Sequence, residues 1–187
     1  MSERRWPPTY DFETLVEQIE KISRSDAFVE GFYTKLQPSQ PCFCQGDVVS
    51  FKSDFPVIDA DGDIATIDNS DQLWIFVGNT CDFTRHINLI KFSHISPLEK
   101  LDDTTPEDIL ANLKLYKTYK RFYLPEWESG TNNNGYALDF SKLCSVDKDA
   151  LNTHAKVLAR LSQESWYLFH SRLVRFLARD DGRDDSR

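Results

Sequence analysis

Apolar positions along the chain change their spacing several times, and each change predicts a change of element. Phe12, Leu15, Val16, Ile19 and Ile22 recur at helical intervals behind Asp11, a good N-cap, while Glu13, Glu17, Glu20 and Lys21 fall largely outside the stripe. Another helical turn or two is expected through Phe28, Phe32 and Tyr33. Pro38 and Pro41 then break the pattern and mark an organisational boundary. Beyond it the texture is that of short strands. Val48 to Phe51 is one, and Pro56 to Ile58 with Ile64 to Ile67 flank an Asp/Gly turn as a hairpin. Leu73 to Val77 is continuously apolar, which predicts burial on both faces. Ile87 to Phe92 is the next strand, closed by Ile95 to Leu98.

A second helical region opens at Thr105-Pro106-Glu107-Asp108. Threonine is expected to cap, proline to take the first helical position and the two acids to complement the dipole. Ile109, Leu110, Leu113 and Tyr116 make its apolar face, and Pro125 predicts an end near residues 121–124. Asn132 to Gly135 is a turn that delivers Tyr136 to Phe140, whose alternation marks a strand. A helix is expected from Asp149 through Leu151, Val157, Leu158 and Leu161. Ser162 to Ser165 then caps another, carrying Trp166, Phe169, Leu173, Phe176 and Leu177 as an aromatic-rich stripe suited to a core. The expectation is an α+β fold: a small SH3-like barrel or bent antiparallel sheet with an N-terminal helix and C-terminal helices. Residues 1–10 read as an arm. Residues 11–179 read as one domain (11–36 helical, 45–98 the β core, 105–179 helices and a returning strand), and 180–187 as a disordered tail.

Composition narrows the function. The 187 residues are 40% hydrophobic and 28% charged, and their formal charge is −8, which argues against a general phosphate-binding surface. Charge is uneven, however: between Leu151 and Arg179, Lys156, Arg160, Arg172, Arg175 and Arg179 face Glu164 alone, a local +4. That stretch would suit an acidic partner or RNA, or simply form a solvated helix exterior. No window approaches the roughly 18 apolar residues of a membrane span, and the first residues lack the apolar run of a secretory signal. A cytoplasmic protein with reduced thiols is therefore expected.

Reactive side chains concentrate where Gln72 to Val77 runs into Gly78-Asn79-Thr80-Cys81-Asp82-Phe83-Thr84-Arg85-His86. Cys81 with His86 or His94 would make a nucleophile and base, with Asp82 orienting the imidazole. Alternatively, the Asn79 to Asp82 side chains cap a tight turn. Cys42, Cys44, Cys81, His86 and His94 could supply zinc ligands, but Cys42 and Cys44 are one residue apart where the usual knuckle leaves two to four. The Asp59 to Asp63 run fails as a calcium loop, with glycine fourth and Ser70 at the twelfth position. No P-loop, GxGxxG, HExxH or GxSxG is present.

Gln45-Gly46-Asp47 before an apolar strand, Trp74 to Asn79, and Ile87 to Pro97 together resemble the PemK/MazF-like fold, that of toxin-type ribonucleases on an SH3-like barrel. The chain is also similar to a group of uncharacterised bacterial proteins with a Thr-Cys-Asp turn (here Thr80 to Asp82) and an Arg-Phe-Tyr-Leu-Pro segment (here Arg121 to Pro125). The toxin likeness covers about a third of the chain and departs from it in one telling place. Where the toxins carry an arginine before the buried strand, this chain has Gln72-Leu73. Ser93 or Ser96 would stand for their threonine or serine, and phosphate stabilisation would fall to Arg85, His86 or His94. The resemblance and the missing arginine imply a noncatalytic interaction or regulatory protein in a bacterial toxin–antitoxin or phage-defence system. A protein is the first partner class and RNA the second; no membrane, cofactor or metal is expected, and the oligomeric state is open. One alternative is a metal-independent endoribonuclease using Cys81, Arg85, His86 and His94, with Asn79, Thr80, Asp82 and Ser96 in binding. A zinc-stabilised binding module is the other.

Overall fold

The computed structural model describes residues 14, 17–18, 21–22, 25–36, 43–52, 54–59, 61–67, 72–80, 91–127 and 134–177. The expected stripe positions Phe12, Leu15, Val16 and Ile19 lie outside these residues. Ile22, its last member, is helical and packs on the main core. Ten strands follow in chain order: β1 (Tyr33–Thr34), β2 (Val48–Phe51), β3 (Phe55–Ile58), β4 (Ile64–Ile67), β5 (Trp74–Phe76), β6 (Phe92–Lys100), β7 (Arg121–Leu124), β8 (Tyr136–Asp139), β9 (Cys144–Asp147) and β10 (Ala155–Leu161). Helices α1 (Asp26–Glu30), α2 (Glu107–Lys114), α3 (Lys148–His154) and α4 (Gln163–Leu177) complete the described elements. The fold is α+β. Its sheet runs β1-β10-β2-β5-β6-β9-β3-β4, with β7 and β8 branching from β6, and every described pairing is antiparallel. The path does not close, since β1 and β4 end it.

The central element is β6. One edge pairs with β5, while the other pairs first with β9 (Phe92 to Ile95) and then with β8 (Leu98 to Lys100). Pro97 falls between those two pairings, so its missing N–H comes where that ladder is already interrupted. Ile95 to Leu98, read from the sequence as the close of a preceding strand, is thus the middle of this one; 87–90 lie outside the described residues. The hairpin of β3 and β4 is as expected. Asp59 Oδ1 accepts from the backbone N–H of Asp61 and Asp63 across a turn with Gly62 at φ 88°.

The apolar residues divide between the two faces of the sheet. Val48, Ile75 and Leu98 pack with Phe28, Phe122, Phe140, Leu168 and Phe169 in the larger core. Their neighbours Val49, Trp74 and Phe76 face a second core with Phe51, Val57, Ile95, Val146 and Leu151. β5 is therefore buried on both sides, as its continuous apolar run predicts.

Four helical expectations are corrected. Helix α2 ends at Lys114, with Leu115 as its C-cap, instead of near residues 121–124. Arg121 to Leu124 is a strand in which Phe122 and Leu124 are buried and Arg121 and Tyr123 half-buried, a period of two that pairing with β8 selects. At its start Pro106 occupies the cap, accepting from Leu110 N–H, and the Thr105 side chain makes no capping bond. Of the predicted face, Leu113 and Tyr116 are buried but Ile109 is 41% exposed. The helix expected over 149–161 stops at His154, and Ala155 to Leu161 is β10. Asp147 caps that shorter helix, accepting from Asp149 and Ala150 N–H. Propensity is overridden because β2 and β1 both offer backbone to β10.

The Ser162 cap is as expected, with its Oγ accepting from Ser165 N–H, but a strand and not a helix leads into it. Leu168, Phe169, Leu173 and Phe176 of α4 are buried within the chain, Trp166 is half-buried, and Tyr167 and Leu177, at 36% and 67%, are exposed. No helix among the described residues is long and apolar enough to cross a membrane.

Phe169 meets the rings of Phe122 and Phe140 at 5.2 and 5.8 Å and is fully buried. Phe169→Ala should cost about 3–5 kcal/mol. Ile109→Ala should stay within about 0.5 kcal/mol. Urea denaturation of both variants checks this; a large loss at Ile109 would restore the longer, buried helix.

Candidate functional site

The loop that opens β2 builds a densely bonded polar cluster. Cys44 to Asp47 form a tight turn, with Asp47 N–H donating to Cys44 O and Asp47 Oδ2 accepting Cys44 N–H at 2.8 Å. Gly46 has φ 91°, and a Cβ there would lie 2.4 Å from Leu161 Cδ1, so both backbone and space require glycine. Asp47 is fully buried, and Arg160 reaches it from β10 with a two-pronged contact, Nε to Oδ1 at 2.8 Å and Nη2 to Oδ2 at 2.7 Å. A register irregularity between Val157 and Ala159 precedes Arg160, and Ala159, Arg160 and Leu161 are then buried in succession. Burial pushes the Asp47 carboxyl above its usual range, and the guanidinium and the Cys44 N–H pull it back.

Gln45 extends this cluster to α4 and to the end of β5. Its Nε2 donates to Val77 O at 3.0 Å, which fixes the amide orientation, because a carbonyl can only accept. Oε1 consequently receives Trp166 Nε1–H at 3.2 Å and His170 Nδ1 at 3.0 Å. His170 must then carry its proton on Nδ1 when neutral, leaving Nε2 as the atom that titrates. Its ring stacks on Trp166 at 5.3 Å, and burial lowers its pKa from 6.5. The backbone N–H of Gln45 donates to Thr80 Oγ1 at 2.8 Å. One glutamine thus ties the first residues of the predicted reactive turn to the last helix.

Of the catalytic candidates, Cys81, Arg85 and His86 lie outside the described residues, as do Asp82 among the binding candidates and the zinc candidate Cys42. Thr80 serves as the acceptor just described, and Asn79 is exposed. His94 is exposed on β6, and its carbonyl accepts the N–H groups of Val77 and Gly78, the residues that lead into Asn79 and Thr80. Ser96 is fully buried, and its hydroxyl donates to Asp139 O at 3.3 Å, at the β6–β8 joint. Ser93, named as its alternative, is buried against Gly78, where an added Cβ would fall 2.0 Å from Ser93 Oγ. Among the described residues no three His, Cys, Asp or Glu side chains gather to hold a metal ion.

Two of the five cations assigned to a solvated exterior are interior. Arg160 is the Asp47 partner, and Arg172 is 2% exposed. Arg172 Nη2 donates to Thr118 O, Nε has no partner among the described residues, and burial with Arg175 nearby lowers its pKa to about 10. Sequence reading singled out neither Gln45 and His170 as partners nor Asp47 and Arg160 as a pair. Gly-Asp before a strand was the available signal for Asp47; a contact spanning 113 residues leaves none for Arg160. No family model, curated protein or solved structure matches the chain.

Arg160→Met should destabilise by about 3–5 kcal/mol because it leaves Asp47 buried without its counterion, whereas the double variant Asp47→Leu/Arg160→Met should recover most of that loss. A thermodynamic cycle from denaturant melts measures it, and simple additivity would refute the pairing. His170 predicts a pH dependence as well. Its folded pKa is the lower one, so the unfolded chain takes up the proton first. Stability should therefore be present above pH 6.5 and fall as pH drops from there through the folded value. His170→Asn, which keeps a polar group near Gln45, should flatten that part of a stability–pH profile.

Proposed function

We propose that this chain is a noncatalytic interaction or regulatory protein built on a PemK/MazF-like, SH3-like barrel variant and working in the bacterial cytoplasm within a toxin–antitoxin or phage-defence system. A barrel-like curl is supported by the second core. Phe51 of β2 and Val57 of β3 belong to it together, although β5, β6 and β9 separate their strands along the sheet path. The interaction role rests on one observation above others: the polar groups leading into the Thr80 turn are engaged with one another. The Asp47 carboxylate holds Arg160 and Cys44 N–H, and the Gln45 amide holds Val77, Trp166 and His170. Such a network positions a loop for recognition by a partner and commits its titratable groups to structure. The burial of Leu168, Phe169, Leu173 and Phe176 commits most of the apolar face of α4 to the core, and the loop end of the sheet is the surface this reading assigns to the partner.

A metal-independent endoribonuclease is the second reading, favoured by exposed His94, whose backbone is bonded to Val77 and Gly78 at the start of the Asn79–Thr80 turn. Incubating the protein with mixed RNA, with and without EDTA, separates the two. No cleavage in either tube, together with recovery of one stoichiometric protein by tagged pull-down from the native host, is the expected result. Cleavage that persists in EDTA and disappears in His94→Ala or His86→Ala would replace the first reading with the second. Stoichiometric zinc in the purified protein would instead favour the zinc-stabilised binding module.

A further inference from the structure

Apart from the loop end, the chain has a cavity of about 360 Å³ between α1, the C-terminal end of α2 and the segment leaving β7. Its size is at the small end of ligand pockets, suited to one compact molecule. Phe28, Phe32 and Tyr116, all buried, make the floor, and Tyr123 and Pro125 line it further. Val29, 48% exposed, with exposed Lys114 and half-buried Glu126, forms the mouth. The rim therefore carries one cation and one anion above an aromatic floor.

The backbone is strained at this place. Tyr116 has φ 52°, the only non-glycine with positive φ among the described residues. It sits where a helix of this kind usually ends in glycine: Tyr116 N–H donates to Leu113 O and Lys117 N–H to Asn112 O, the two bonds of a Schellman cap. A bulky residue in that conformation costs on the order of 1–3 kcal/mol, and such strain concentrates at functional positions. Its ring packs on Phe122 at 5.0 Å, and its hydroxyl donates to Tyr123 O at 3.1 Å, so the cavity floor is held in place. Tyr123 in turn lies under Lys114, whose Nζ is 5.9 Å from the ring centre. Burial raises the phenol pKa of Tyr116 well above its ordinary value and that of Tyr123 to about 12, so these walls are neutral at physiological pH.

We infer that this cavity binds a free α-amino acid with a large apolar side chain: the side chain on Phe28, Phe32 and Tyr116, the carboxylate toward Lys114 and the ammonium toward Glu126. The paired rim charges are what select the zwitterion over a neutral residue within a polypeptide. This site is separate from the loop end of the sheet and does not depend on the reading given for it.

Calorimetry on the full chain tests the inference with L-phenylalanine and L-leucine as probes, against phenethylamine, 3-phenylpropionate and N-acetyl-L-phenylalaninamide. L-Phenylalanine or L-leucine should bind, and each analogue lacking one or both charges should bind about fivefold or more weakly. Lys114→Ala should weaken L-phenylalanine and 3-phenylpropionate while sparing phenethylamine; Glu126→Gln should weaken L-phenylalanine and phenethylamine while sparing 3-phenylpropionate. Both positions are outside the core, and unchanged melting curves confirm that the variants fold. Absence of amino-acid heat at roughly 10 mM, well above a millimolar Kd, overturns the inference. Equal affinity for all the phenyl compounds overturns it too, because the rim charges then select nothing. Tighter binding of N-acetyl-L-phenylalaninamide overturns it in favour of an apolar residue from a protein partner.

Discussion

The buried pair of Asp47 and Arg160 is the constraint on which the arrangement of this chain turns. Taking either ion out of water costs several kcal/mol, and the pair is tolerable only with matched geometry and with the remaining lone pairs satisfied. Both conditions are met: the guanidinium is two-pronged, and the carboxylate also accepts Cys44 N–H. The consequence reaches beyond the pair. Arg160 can reach Asp47 only if residues 155–161 lie as a strand along β2, and Leu161 of that strand fills the space that Gly46 leaves open. A helix over the same residues would satisfy its own backbone and abandon the carboxylate. The tertiary pairing outweighs the propensity of Ala155-Lys156-Val157-Leu158.

From that joint the sheet acquires two buried faces. Val48 and Val49 are consecutive, yet one packs under α4 and the other over α3, as strand alternation dictates. Each core supports the other through β2 and β5, so the polar groups between them have few degrees of freedom. Gln45 precedes β2; its side-chain Oε1 holds α4 and its backbone N–H holds Thr80, so the two are tied through one residue. A loop fixed this way presents its side chains at a set height above the sheet, which suits recognition by a rigid partner.

How much of this was legible depended on distance along the chain. Periodicity over neighbouring residues gave the hairpin of β3 and β4, the doubly buried β5, the returning strand β8 and the Ser162 cap, because each is decided within a few residues. It misread residues 121–124 and 155–161, where apolar residues fit either period and the deciding partners, β8 and β2, lie elsewhere in the chain. Pro97 looked like a stop and proved to be the joint of the longest strand. In the candidate site, the Asn79–Thr80 turn and His94 were singled out by their chemistry alone. Gln45, Asp47, Arg160 and His170 were not assembled, since nothing local ties a glutamine to a histidine 125 residues away.

Two places break local rules, and they differ in how the cost is met. At Asp47 a buried charge is met by Arg160 and a backbone N–H, which pull back against the burial that raises its pKa. At Tyr116 the backbone strain has a cheaper alternative that the chain does not use. Glycine would close the same Schellman cap without strain, and the two cap bonds involve backbone alone. What glycine would forfeit is the ring that rests on Phe122 and the hydroxyl that reaches Tyr123 O. The strain is therefore tied to the side chain and not to the turn, and that side chain forms the floor of a cavity with opposite charges at its mouth. A fold that accepts local strain to hold one aromatic surface in place has shaped that surface, whereas a packing defect would have relaxed.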